Sequence, residues 1–389
     1  MAAVGLCAAA GFGHWLRSLR RVGAALRGIN GGTCYYMTSM ARLPAWRAVR
    51  GNDVRRLQST AIGRTGKEGA AVLWTAAAFS LFRSKGDEED EAEKKEEELI
   101  LLLKRAKLHI QGENFDAASE FLHRAAALAH QTNNHQAVVY TYIQMANLAF
   151  LQGQLEQAEK LFKAAMSFLL AGGAPLDHNA VVEMSLKLSC MYAEQNRAEL
   201  AEHGFRFCME SLEAKLQKEA ALKEEERTDE QEVERKNTRL LLGLCLDSRA
   251  RYRTSSLRLQ EASEDYQRAL EICSQEQGPT HPQTLVLMND LATVLDLRGL
   301  HDEALVLVQQ AVELSRSSGH PDLHRLLGNM AGVLLHKGRL DQALRLYQEA
   351  LSLSHQVQDQ ETVDQILDGL EEVKRRRRLQ ETKDKTNKD

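Results

Sequence analysis

The side chains that could do chemistry in this 389-residue chain are few, and their spacing is poor. His320 and His324 stand one helical turn apart, a separation that lets two imidazoles share a metal. Pro321 falls between them and no third ligand is evident, so they read as ordinary histidines. His130 and His135 flank the loop QTNNH and read as solvated. Cys7, Cys34, Cys190, Cys208, Cys245 and Cys273 include no C-x-x-C pair. The last four fall in helical stretches, where a buried free thiol is expected. There is no G-x-x-x-x-G-K-[ST], no G-x-S-x-G and no H-E-x-x-H. The expectation is therefore a protein that is not an enzyme. It should need no cofactor or metal and bind no nucleic acid or small-molecule substrate. The run KRRRR at Lys374–Arg378 reads as a helix end whose cations favour the carbonyl pole. Contact with anionic lipid or an acidic partner is its other reading.

The elements that must position these residues are helices. Hydrophobic residues make up 43% of the chain, aromatics only 5%, and there are five prolines. Ala, Leu, Glu, Gln and Lys are frequent, and strand-type alternation is scarce. Four stretches align with one another: Met145–Met166, Leu188–Met209, Leu291–Val312 and Met330–Leu351. Each is a helix end, a tight turn at Gly153, Asn196, Gly299 or Gly338, and a second helix with alanine five residues on. Those alanines are Ala158, Ala201, Ala304 and Ala343; weaker copies use Ala118 and Ala262. A small residue there lets two antiparallel helices approach closely, and Gly or Asn tolerates the left-handed backbone that ends the first. Large residues such as Leu161, Phe162, Leu307 and Leu346 fill the layer between pairs. The alanines are 40, 43, 61, 42 and 39 residues apart, and the long gap holds a charged insert, 213–238, read as elongated solvated helices joined by a flexible link.

These residues resemble tetratricopeptide repeats, over roughly residues 99–355. The stretch GPTHPQTLVLMNDLATVLDLRGLHDEALVLVQQAVEL looks most like the 42-residue subclass found in kinesin light chains. The resemblance implies an all-α superhelix of stacked helix pairs with a concave groove lined by the first helix of each pair. Projected onto this chain, that face carries Tyr140, Ile143, Asn147 and Phe150, then Glu183, Leu186 and Cys190. Asn289, Thr293 and Asp296 follow, then Arg325 and His336. Such a groove suits an extended peptide or a partner's helix. The family's carboxylate clamp is not expected, because Asn147 matches one position but the adjacent basic set is missing.

The N-terminus has a different character. Residues 1–67 hold ten arginines and one lysine against a single acid, Asp53, a net of +10; the rest carries −14 of the chain's total of −4. An Arg-rich, Ser-containing, acid-poor and amphipathic head has the composition of a mitochondrial transit segment, mostly disordered. At 68–83 an uncharged run of fourteen residues, Gly69–Phe82, is shorter than the roughly 20 residues a membrane helix needs. It reads as a short inner-membrane anchor or stop-transfer helix; a cleaved import segment and a buried soluble helix are the alternatives. An acidic spacer follows at 84–98, and a capping helix with a polar tail closes the chain at 356–389.

This layout, with LLKRAKLHI, the segment Tyr140–Gly173 and HPQTLVLMNDLATVLDLRG, is similar to a mitochondrial branch of the tetratricopeptide repeat family. That likeness implies attachment to the inner mitochondrial membrane and association with respiratory complex III. It also implies clearance of N-terminal fragments of the Rieske iron–sulfur subunit. A cytosolic adaptor of the kinesin-light-chain type is the alternative.

Overall fold

A residue with positive φ stands five positions before each of the six repeat alanines. The six are Glu113 (57°), Gly153 (75°), Asn196 (58°), Leu257 (60°), Gly299 (81°) and Gly338 (72°). Ala118, Ala158, Ala201, Ala262, Ala304 and Ala343 are all fully buried. The computed structural model describes residues 89–220 and 228–386. Among these the chain forms thirteen α-helices and no strand.

Six hairpins account for the first twelve helices. They are α1 (Glu89–Gln111) with α2 (Phe115–Gln131), α3 (His135–Leu151) with α4 (Leu155–Ala171), and α5 (Asn179–Glu194) with α6 (Ala198–Ala220). Then come α7 (Asp229–Ser255) with α8 (Leu259–Gln277), α9 (Pro282–Leu297) with α10 (His301–Ser318), and α11 (Leu323–His336) with α12 (Leu340–Gln356). A single long helix, α13 (Gln360–Thr386), ends the series. The described residues divide into two units, one running to Leu241 and one from Leu242, the boundary falling within α7.

Local chemistry sets the helix starts. Asn114 and Asn134 accept at Oδ1 from the amides of Ala117 (3.3 Å) and Ala137 (3.0 Å). His178 and His281 use Nδ1 in the same way, accepting from Ala180 and Gln283 at 3.2 Å. Pro282 supplies the first residue of α9, where its missing N–H costs nothing. Burial lowers the pKa of both histidines, which keeps the accepting nitrogen unprotonated.

In the first unit one cluster joins Leu99, Leu102, Leu103 and Ala106 of α1 to α2 and α3. A second centres on Phe162, Met184 and Met191 and takes in Leu161. Gly204 of α6 lies so close to α5 that a Cβ there would meet Ser189 Oγ at 2.1 Å. In the second unit a cluster from Leu285 to Val373 contains Tyr347, with Leu307 and Leu346 packed on it.

The acidic run, a solvated spacer or a helix start by its composition, is helical from Glu89, and its acids form the first turns of α1. The structure revises two expectations. The charged insert is not merely solvated. Lys215 of α6 donates to Asn179 Oδ1 (3.0 Å) and Glu234 Oε1 (2.7 Å), and Asn179 Nδ2 donates to Thr238 Oγ1 (3.0 Å), a fully buried side chain. The KRRRR run lies inside α13, not at its end. Arg375 and Arg376 pair with Glu372, Arg377 pairs with Asp341, and Arg376 donates to the Leu335 carbonyl (2.9 Å). The run therefore does meet a helix C-terminus, that of α11. The transit segment and the short membrane helix at 68–83 lie outside the described residues. Among the described residues no helix is long and apolar enough to cross a membrane.

The turns give a direct stability test. A left-handed backbone costs an L-residue with a Cβ about 1–2 kcal/mol. Leu257 is 46% exposed, so little packing is at stake. Leu257→Gly is expected to raise the urea midpoint, by about 0.5–1 kcal/mol in stability, and Gly299→Ala to lower it by a similar amount.

Candidate functional site

In the first unit α3 presents Tyr140, Ile143, Asn147 and Phe150, all half-buried. Burial raises the Tyr140 phenol's pKa. On α5, Glu183 is also half-buried, but Leu186 is 1% exposed and Cys190 is buried. Leu186 therefore belongs to the core and cannot line an open groove. Lys187, one residue on, brings the two first helices together. Its ammonium donates to Asn147 Oδ1 (3.1 Å), pairs with Glu183 (3.1 Å) and sits 5.5 Å from the centre of the Phe162 ring. A lysine does adjoin Asn147, then, but Glu183 already supplies the carboxylate that an incoming chain terminus would bring. The face that remains is amphipathic, with aromatic and aliphatic edges around a locally paired charge.

In the second unit the expected residues are mostly inward. Asn289, Thr293 and Asp296 of α9 are 8%, 4% and 2% exposed. They face the next first helix rather than open solvent: Asn329 Nδ2 of α11 donates to Asn289 Oδ1 at 2.7 Å. Thr293 Oγ1 donates to the Asn289 carbonyl at 2.9 Å. Asp296 and His336 do meet, with His336 Nδ1 2.6 Å from Oδ2. His301, which projecting first helices alone passes over, places Nδ1 2.6 Å from Oδ1 of the same carboxylate. Ligand atoms of the three lie within 4.8 Å of one another, a donor set able to hold a cation. Arg325 stands apart from this group and pairs with Asp359 at 2.6 Å.

The other sequence candidates have settled partners. His320 Nδ1 accepts from the Asp322 amide (3.1 Å), and His324 Nε2 reaches Asp359 (3.2 Å), so each imidazole is engaged separately. His130 is exposed yet packs edge-on to Tyr142 and Phe168, with ring centres 5.9 and 5.8 Å away; it is not simply solvated. Cys190, Cys208, Cys245 and Cys273 are buried thiols, and burial pushes the Cys273 thiol's pKa up.

Known proteins agree with this architecture. Family models of the tetratricopeptide repeat match residues 244–317 and 326–361. Tetratricopeptide repeat protein 19, mitochondrial, from Danio rerio is 58% identical over 247 residues, covering 64% of this chain and 60% of that protein. The Homo sapiens protein of the same name is 48% identical over 253 residues, covering 64% of this chain and 66% of its own length. The chain thus spans somewhat less than two thirds of these relatives. The crystal structure of BtubC (BKLC) from P. vanneervenii covers 66% of this chain and 92% of its own, with a TM-score of 0.50 and 15% identity, a likeness of fold alone. Six alanine-centred hairpins, two matching repeat models and relatives that carry the repeat in their names agree: the chain carries tetratricopeptide repeats.

Proposed function

We propose that the chain is a non-enzymatic mitochondrial adaptor whose repeats hold a protein partner. The observation that carries this reading is 46–58% identity, over about 250 residues, to relatives named as mitochondrial repeat proteins. The +10 head supports it, because a basic amphipathic segment is drawn inward by a negative-inside potential. The half-buried face of α3, with Tyr140, Ile143 and Phe150 around Asn147, suits an amphipathic peptide or helix. In this proposal Gly69–Phe82 tethers the repeats to the inner mitochondrial membrane. There they bind respiratory complex III and promote removal of N-terminal fragments of the Rieske subunit. Deleting the gene is expected to leave complex III assembled while Rieske fragments accumulate. Normal fragment levels together with normal complex III activity would refute it.

A second reading is a cytosolic adaptor of the kinesin-light-chain type, favoured by the 42-residue copy at 262–304. A reporter fused to residues 1–98 separates the two, since import into mitochondria supports the first and cytosolic retention the second.

A further inference from the structure

Asp296, His301 and His336 form a cluster that partner binding does not account for. The carboxylate lies in the last turn of α9, is fully buried, and has an imidazole on each oxygen. His301 opens α10 just past the Gly299 turn, and His336 ends α11 in the next hairpin. Three helix ends from two neighbouring hairpins thus fix three ligands without any flexible loop.

We propose that these three residues bind one divalent cation of the zinc class. Two imidazole nitrogens and a carboxylate are a borderline-soft donor set, which suits zinc and disfavours magnesium and calcium, whose ligands are oxygen. The ligand atoms already converge to within 4.8 Å. Tetrahedral bonds of about 2.0–2.2 Å to one metal would set neighbouring ligand atoms roughly 3.3–3.6 Å apart, an opening of about 0.7–1 Å from the present 2.6 Å contacts. On binding, each imidazole carries its proton on Nε2 and turns the Nδ1 lone pair to the cation. Any proton that keeps an imidazole charged is released to solvent as the metal binds. His301 is 36% exposed, which leaves an entry path and room for a water as fourth ligand. The cations next to these ligands in sequence are committed elsewhere: Arg298 donates to Ser263 (2.8 Å) and Lys337 pairs with Asp302. The ion would clamp the α9–α10 hairpin to α11.

The full chain, stripped with chelator and dialysed against zinc chloride, is expected to retain one zinc that His301→Ala and His336→Ala each lose. Zinc should also raise the melting temperature of the parent chain but not of either variant. His301 is partly exposed, so His301→Ala should fold; circular dichroism checks this for both variants. Cobalt distinguishes the ligands, because nitrogen and oxygen donors give weak visible bands without the near-ultraviolet thiolate band that cysteine would add. A parent chain that retains no zinc would leave the cluster a hydrogen-bonded triad and overturn the proposal. So would zinc kept by both histidine variants, or a thiolate band.

Discussion

Arg251→Met is expected to destabilise the second unit by about 3–5 kcal/mol, read from urea unfolding. Arg251 of α7 grips Asp247 with two bonds, 2.9 Å from Nε and 3.2 Å from Nη2, and reaches Asp290 of α9 at 3.0 Å. Side-chain exposure is 10% for Arg251, 3% for Asp247 and 16% for Asp290. Burial alone would lower the guanidinium's pKa, but the two carboxylates outweigh it and the net shift is upward. Methionine fills most of the volume yet leaves two acids without their cation. Arg251→Lys should recover only part of the loss, because an ammonium cannot span a carboxylate as a planar fork does. Arg316→Ala is the control. Arg316 pairs with Glu349 at 2.6 Å, but the two side chains are 50% and 44% exposed, so the effect should stay within about 1 kcal/mol.

The same cluster has one carboxylate more than its arginine can neutralise. Burial raises the Asp290 carboxyl, assisted by Asp247 and opposed by Arg251, to about 6. The unfolded carboxyl titrates near 3.8, so between about 4 and 6 the folded chain holds a proton that the unfolded chain lacks. Stability from this group is full below the unfolded pKa and is lost as pH rises through about 6. Asp290→Asn should therefore compare better with the parent at pH 7.5 than at pH 5, by denaturant midpoints at the two values. An unchanged difference would exclude a raised Asp290.

What was legible in the sequence was local and steric. Each repeat alanine must be small because a neighbouring helix lies against it, and Gly153, Asn196, Gly299 and Gly338 advertise a left-handed turn. Glu113 and Leu257 adopt the same turn without any signal, because packing of the flanking hairpins outweighs a backbone preference of about 1–2 kcal/mol. The site was less legible for a related reason. Projecting one helix finds its face but not what the next repeat lays on it. Asn289 and Thr293 sit on the projected face of α9 and are buried there, with Asn329 of α11 bonded to Asn289. Lys187 was missed because a buried lysine makes sense only once Asn147, Glu183 and Phe162 surround it.

Asp359→Ala is expected to cost about 2–4 kcal/mol, through a lost helix cap and lost charge-assisted bonds. Asp359 precedes α13, and its Oδ1 accepts from the Thr362 amide at 3.3 Å. Oδ2 accepts from Arg325 Nη2 (2.6 Å), Arg325 Nε (3.0 Å) and Thr362 Oγ1 (2.8 Å), and His324 Nε2 lies at 3.2 Å. Arg325, expected to face a partner, thus holds the last helix against α11 instead. Burial alone would raise this carboxyl's pKa, but the bonds from His324 and Arg325 overcome that and hold it far below the ordinary carboxylate range. The folded pKa is depressed, so the stabilisation is full above the unfolded value and is lost as pH falls through and below it. The gap in stability between the parent and Asp359→Asn should therefore narrow as pH drops from 6 to 3. Asn keeps the cap oxygen, so Asp359→Asn should lose less than Asp359→Ala at pH 6. Equal losses for the two would make the charge, not the cap, the whole of the effect. A gap independent of pH would show that the carboxylate is not the group holding α13 in place.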